Sequence, residues 1–114
     1  MGKTNRNNHL GSLEESILVA ILREGEQAYA VPIRRMVEEI QGGVIAIGSV
    51  SVTLDRMEEK GYIKSWTVPG EGHRGRPRKY YKVEGAGMTA LEQAAEEHQR
   101  AWAVVLGVLG GATS

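Results

Sequence analysis

Residues 48–83 read GSVSVTLDRMEEKGYIKSWTVPGEGHRGRPRKYYKV, and the fold is decided by this stretch. Val50, Leu54 and Met57 recur at helical spacing and form one apolar stripe, which predicts a helix over 49–60. Ser49 is the expected N-cap, because its hydroxyl can accept from a first-turn amide, and Gly61 stands where a left-handed C-cap belongs. The opposite face carries Ser49, Ser51, Val52, Asp55, Arg56 and Glu59. Residues 62–68 then alternate Ile63, Ser65 and Thr67 against Tyr62, Lys64, Trp66 and Val68, with aromatic and β-branched enrichment, so a strand is expected. Pro69-Gly70 breaks it, and KYYKV at 79–83 supplies a second strand, so the simplest join is a long hairpin.

Between His73 and Lys82 there are five Arg or Lys residues and no acid. Such a projecting run attracts a polyanion and releases its counterions on contact. Arg74-Gly75-Arg76-Pro77 is similar to the core of the AT-hook, in which two arginines flanking a glycine let an extended backbone lie in a narrow minor groove. A helix stopped by glycine and followed by a basic-tipped hairpin predicts an α+β fold, a winged helix-turn-helix domain of three helices and a β-hairpin wing. Double-stranded DNA is the partner this implies. Ser49, Ser51, Val52 and Arg56 are the expected major-groove face, and Arg74, Arg76, Arg78 and Lys79 the expected backbone or minor-groove contacts.

Working outward, residues 1–10 are polar and without periodicity, which predicts a flexible arm whose Lys3 and Arg6 could trail along phosphates. Ser12-Leu13-Glu14-Glu15 has capping-box spacing, with Glu15 reaching back to the serine amide, and Leu13, Ile17, Ala20, Ile21 and Leu22 give the first helix a broad apolar face closed by Gly25. A second helix carries Pro32 in its first turn and Ile33, Met36, Val37 and Ile40 at i, i+3, i+4 and i+7. Its outward Arg34 and Arg35 suit either phosphate contact or pairing with Glu38 and Glu39. Gly42-Gly43 ends it, and the β-branched run 44–47 is expected to add a small strand at the base of the wing.

Beyond the wing, Met88, Leu91, Ala95, His98, Trp102, Val105 and Leu109 are spaced 3, 4, 3, 4, 3 and 4. That is a heptad seam, and one small domain cannot easily bury all of it, so a C-terminal dimerisation helix over 86–107 and a homodimer are expected. The competing arrangement folds this helix back on the first one as monomer core. Residues 108–114, with their glycines, are expected to fray. Trp102 and His98 are the candidate lining of a dimer-interface cavity for a small aromatic effector, although a seam tryptophan also fits plain packing.

The order GSVSVTLDRMEEKGYI, then GRPRKYYKVEGAGMTAL, resembles the PadR family of winged-helix transcriptional regulators, in particular its short members with a single C-terminal helix. The likeness spans roughly residues 13–91 and is most specific at GRPRKYYKV. It implies a dimeric repressor that binds a pseudo-palindromic operator and is often released by a small molecule. Where the family usually places a tyrosine early in the recognition helix, this chain has Ser51, so that tyrosine's contact is not carried over.

The totals bound the remaining classes. A chain of 114 residues makes one modest core, here divided into an arm to residue 10, a DNA-binding domain over 11–85 and the helix that follows. Net charge is zero, yet the positive charge is concentrated in the hairpin, so one end of the fold should be basic. The absence of cysteine excludes disulfides, thiolate nucleophiles and cysteine-ligated metals. His9, His73 and His98 are scattered and the paired acids sit side by side on helix faces, so neither a catalytic centre nor a metal site is expected, and no cofactor. With no apolar run of membrane-spanning length and no signal-peptide core, the expected location is the cytoplasm. The alternative function is a winged-helix protein–protein adaptor without DNA binding, whose hallmark would be a neutral wing.

Overall fold

The computed structural model describes residues 10–112. Helices α1 (Ser12–Glu24), α2 (Ala30–Gln41) and α3 (Ile47–Glu59) are followed by the antiparallel strands β1 (Ile63–Val68) and β2 (Arg78–Val83), and α4 (Gly85–Ala112) closes the chain. This is the expected three-helix, one-hairpin winged helix with a C-terminal helix. The Lys3 and Arg6 arm lies outside the described residues. Leu10, assigned to that arm, instead packs into the core.

The core is aliphatic. Ile17, Leu18, Ile33, Val37, Val50, Leu54, Met57 and Ile63 are fully buried where α1, α2, α3 and the hairpin meet. Each helix supplies the stripe that its 3.6-residue period placed on one side, and the alternate residues of the hairpin close the layer. Two apolar residues expected to face inward do not: Leu22 and Ile40 stand at the edge of the packed stripe and are exposed.

Several local expectations are corrected. The first helix is capped one residue early: Gly11 is the N-cap, and its amide donates to Glu14 Oε1 at 2.9 Å, so Glu14 and not Glu15 reaches back. Ser12 Oγ instead receives Gln41 Nε2 of α2 at 3.3 Å. Ser49 is not an N-cap either; α3 begins two residues before it, Ala46 is extended at the cap, and Ser49 lies within the first turn. Its carbonyl accepts from Thr53 Oγ1 at 2.7 Å.

Residues 44–47 form no strand. Arg34 Nε donates to the Ile45 carbonyl at 2.9 Å while the Ile45 amide donates to Glu38 Oε2 at 3.0 Å, and Arg34 and Glu38 pair at 3.5 Å. The amide and carbonyl of Ile45 are thus satisfied by α2 side chains, and the Ala46 carbonyl by the Ser49 and Val50 amides of α3, not by a ladder. Of the two roles expected for Arg34, the pairing with Glu38 is the one this brace uses. The extra strand-like contact to the wing comes from Tyr29, which bridges Tyr80, with the Tyr81 amide donating to the Ala28 carbonyl at 2.9 Å.

Helix α4 leaves the wing at a tight crossing. A side chain at Gly87 would place its Cβ 2.2 Å from the Tyr62 carbonyl oxygen, the same oxygen that accepts the Glu84 amide at 2.9 Å. Gly87, Ala90 and Ala94 are the buried strip, so small residues let α4 lie close on the domain. The helix continues through Gly107, Gly110 and Gly111 to Ala112, where the sequence suggested fraying.

Candidate nucleic-acid interface

On α3, Ser49, Ser51, Val52 and Arg56 are all exposed, as are Ile47 and Gly48. The first two turns of this face carry no acid. Asp55, Glu58 and Glu59 fall in the second half, where Glu58 is occupied: its carboxylate accepts from Ser65 Oγ at 2.6 Å and pairs with Lys79 Nζ at 3.7 Å. These two contacts tie β1 and β2 to the C-terminal end of α3, so the wing stands beside the helix. Burial, with Asp55 and Glu58 nearby, pushes the Tyr81 hydroxyl above the ordinary phenol range.

The hairpin register pairs Trp66 with Tyr80, Thr67 with Lys79 and Val68 with Arg78. Because side chains alternate along a strand, Lys79 and Tyr81 share the face turned to α3, and Arg78 and Tyr80 share the other. On that second face Tyr80 meets Tyr29 edge-on at 5.8 Å and stacks on Trp66 at 6.0 Å. The Arg78 guanidinium lies 3.9 Å over the Tyr29 ring. Arg78 and Lys79 were both expected to hold DNA, and the fold engages each of them internally. A local reading of charge could not show this, since Tyr29 and Glu58 come from other elements.

Arg74 and Arg76 are different. They lie in the tip between the strands, both exposed, and among the described residues neither makes an ion pair or ring contact. The tip is closed by the Gly72 amide donating to the Arg76 carbonyl at 2.6 Å, and a one-turn 3-10 segment, His73–Gly75, presents Arg74 in the left-handed region at φ 57°. Tyr80 donates to Glu71 Oε1 at 2.5 Å, and that bond, followed by burial, raises its pKa above the ordinary phenol value. Sequence reasoning missed the group Tyr29, Trp66, Glu71 and Tyr80. The pairing of SW against KYY across the hairpin was its only local signal.

The expected dimer-seam residues lie on α4. Leu91 is half-buried against the core, while Met88, Ala95, His98, Trp102 and Val105 are exposed. His98 Nε2 is 2.8 Å from Glu15 Oε1 of α1, so the first half of α4 does fold back on its own domain. From residue 95 to 111 every position is exposed, Trp102 at 60 %. A groove of about 630 Å³ lies elsewhere, beneath the wing, lined by Ile21, Leu22, Trp66, Tyr81 and Val83 among others. Among the described residues no helix is long and apolar enough to cross a membrane.

Comparison with known proteins agrees with this architecture. Two solved structures are similar over nearly their whole length: a PadR family transcription regulator from Clostridium difficile, with 27 % identity, a TM-score of 0.70 and coverage of 87 % of this chain and 99 % of that one; and a PadR-like transcription factor from Bacteroides fragilis, with 26 % identity, a TM-score of 0.69 and coverage of 93 % and 96 %. A transcriptional regulator from Thermoplasma acidophilum, 19 % identical with a TM-score of 0.66 over 86 % of this chain and 89 % of its own, shares the fold. No curated protein matches the sequence. The model of the PadR-like transcriptional regulators matches residues 17–93, and the chain therefore belongs to that family.

Proposed function

We propose that two copies of this chain, joined through α4, bind a two-fold-symmetric DNA site in the cytoplasm and repress transcription. The acid-free first half of α3 enters the major groove, and Arg74 and Arg76 take the neighbouring backbone or minor groove. The observation that carries this reading is the state of the wing's cations: Arg78 lies over the Tyr29 ring and the exposed Lys79 pairs with Glu58 at the surface, whereas Arg74 and Arg76 are exposed and make no ion pair among the described residues. A neutral adaptor surface has no use for such a pair. The family is one of regulators rather than enzymes.

The homodimer is supported by the far end of α4. Trp102, Val104, Val105, Leu106, Val108 and Leu109 are all exposed within eight residues, and a helix apolar on most sides is stable in water only when covered. Pairing along Trp102, Val105 and Leu109 covers one side and sets two α3 helices about one duplex turn apart. A planar aromatic effector would stack on Trp102 beside His98 in the paired state and alter that spacing. The domain of 11–85 and the helix of 86–107 are the two working parts.

The test is a salt series. Replacing Arg74 and Arg76 with alanine should weaken binding to duplex DNA across sequences and flatten the dependence of log K on log salt by about 0.9 for each phosphate that is no longer neutralised. Equal affinity for parent and double variant across the series would remove the wing from the interface.

A further inference from the structure

We propose that Tyr80 and Glu71 form a latch that holds the wing tip in its DNA-contacting shape, which makes both of them positioning residues for Arg74 and Arg76. The inference rests on the reading that the tip touches DNA, and it deepens that reading.

The tip has a shape that a free loop would not keep. Arg74, at φ 57° and ψ 36°, is the only non-glycine residue with positive φ among the described residues. L side chains rarely adopt that region, and such a conformation persists only where its surroundings over-determine it. The loop is closed tightly enough that a Cβ on Gly72 would meet the Arg76 carbonyl oxygen at 2.5 Å. Three amides fasten it: Gly72 to Arg76, Gly75 to Gly72 and Arg76 to His73, at 2.6, 3.1 and 3.2 Å.

Both ends of this loop are pinned to one aromatic post. Tyr80 is buried between Tyr29, edge-on, and Trp66, stacked, and its backbone bridges Tyr29, so its hydroxyl points from a fixed place. On the incoming side that hydroxyl donates to Glu71, the residue just before Gly72. On the outgoing side Arg78 lies over the Tyr29 ring. Like any phenol, the Tyr80 hydroxyl is protonated at neutral pH and can donate.

The latch has a second effect, on charge. Glu71 is the one acid between Pro69 and Lys82. Left free, it would sit within reach of the tip arginines and compete with phosphate for them. Bonded to Tyr80, it is held off them, consistent with the absence of an ion pair at Arg74 or Arg76 among the described residues.

Opposite signs make this testable. Removing an acid from a loop that binds a polyanion ordinarily tightens binding, whereas loss of the latch weakens it. E71A and Y80F, the latter keeping the ring stack, should each bind a random-sequence duplex about three- to ten-fold more weakly than the parent, the size of one net hydrogen bond. The salt slope should stay unchanged, because the arginines still reach phosphate once ordered, and amide exchange at Gly72, Gly75 and Arg76 should accelerate. R76A, measured alongside, should lower both affinity and slope. If E71A binds as tightly as the parent or tighter, or if exchange in Y80F is unchanged, the latch is wrong. If R76A alters neither affinity nor slope, the wing reading itself fails and the positioning role falls with it. Accelerated exchange in Y80F would then still identify the tip fastening, so the two failures are distinct.

Discussion

Substituting Gly87 with alanine tests how α4 is joined to the winged-helix domain. A Cβ at this position would lie 2.2 Å from the Tyr62 carbonyl oxygen and 3.0 Å from Val83 Cγ1. Ordinary carbon–oxygen contact begins near about 3.3 Å, so α4 must retreat by about 1 Å from the end of the hairpin. The neighbour that must yield is backbone, and its oxygen also accepts the Glu84 amide that starts the helix, so the clash cannot be relieved by a side-chain rotation. Overpacking of this kind costs about 1–3 kcal/mol, and in a domain of this size each 1 kcal/mol lowers Tm by roughly 4–8 °C. The gain in helix propensity of alanine over glycine returns at most about 1 kcal/mol and leaves a net loss. Thermal unfolding followed by circular dichroism should therefore show a lower midpoint, and operator affinity should fall further than stability alone explains, since the angle between α4 and α3 changes. A midpoint equal to or above the parent's would refute the close crossing and with it the fixed geometry between α4 and the winged-helix domain.

Two further outcomes follow from the same geometry. Trp102→Glu places a charge in the proposed seam; sedimentation equilibrium should show the dimer dissociating, and DNA affinity should collapse while the domain keeps its melting midpoint, whereas an intact dimer would move the seam elsewhere. The hydroxyls of Tyr80 and Tyr81 both have folded pKa values above those of the unfolded chain, so the stability they contribute is present in full below about pH 10 and is lost as pH rises through the folded values. Ultraviolet titration of the phenols should show late ionisation in the parent and an earlier one for Tyr80 once Glu71 is replaced by alanine; no change on that replacement would separate Tyr80 from Glu71.

The parts legible from sequence were those whose signal is local and periodic. Ile33 and Val37 on α2, or Val50, Leu54 and Met57 on α3, repeat at the helical period, and burial falls on them. The hairpin was legible because Pro69-Gly70 separates two runs that alternate, and the tip because its arginines lie close together with no acid between them. What sequence concealed is long-range pairing. The β-branched run 44–47 has strand composition, but Arg34 and Glu38 from the preceding helix take up the carbonyl and amide of Ile45 and hold it as a loop. Tyr29 supplies the bridge to the wing as a single residue, too short to leave a pattern. Among the four wing cations expected to touch DNA, only the folded chain distinguishes Arg74 and Arg76 from Arg78, over Tyr29, and Lys79, beside Glu58. The start of α1 was shifted by one residue for a related reason: a first-turn acid can reach back from either of two adjacent frames, and nothing in the spacing chooses Glu14 over Glu15.

If the exposed start of α3 and the tip arginines of two copies read one duplex, the preferred DNA must carry the symmetry of the pair. Selection from random duplex DNA with the purified chain, followed by sequencing of the bound pool, examines this without assuming an operator. The expected product is a site with two-fold symmetry and half-sites about one helical turn apart. An unenriched pool, or a single asymmetric half-site bound by one copy, would be incompatible with paired reading.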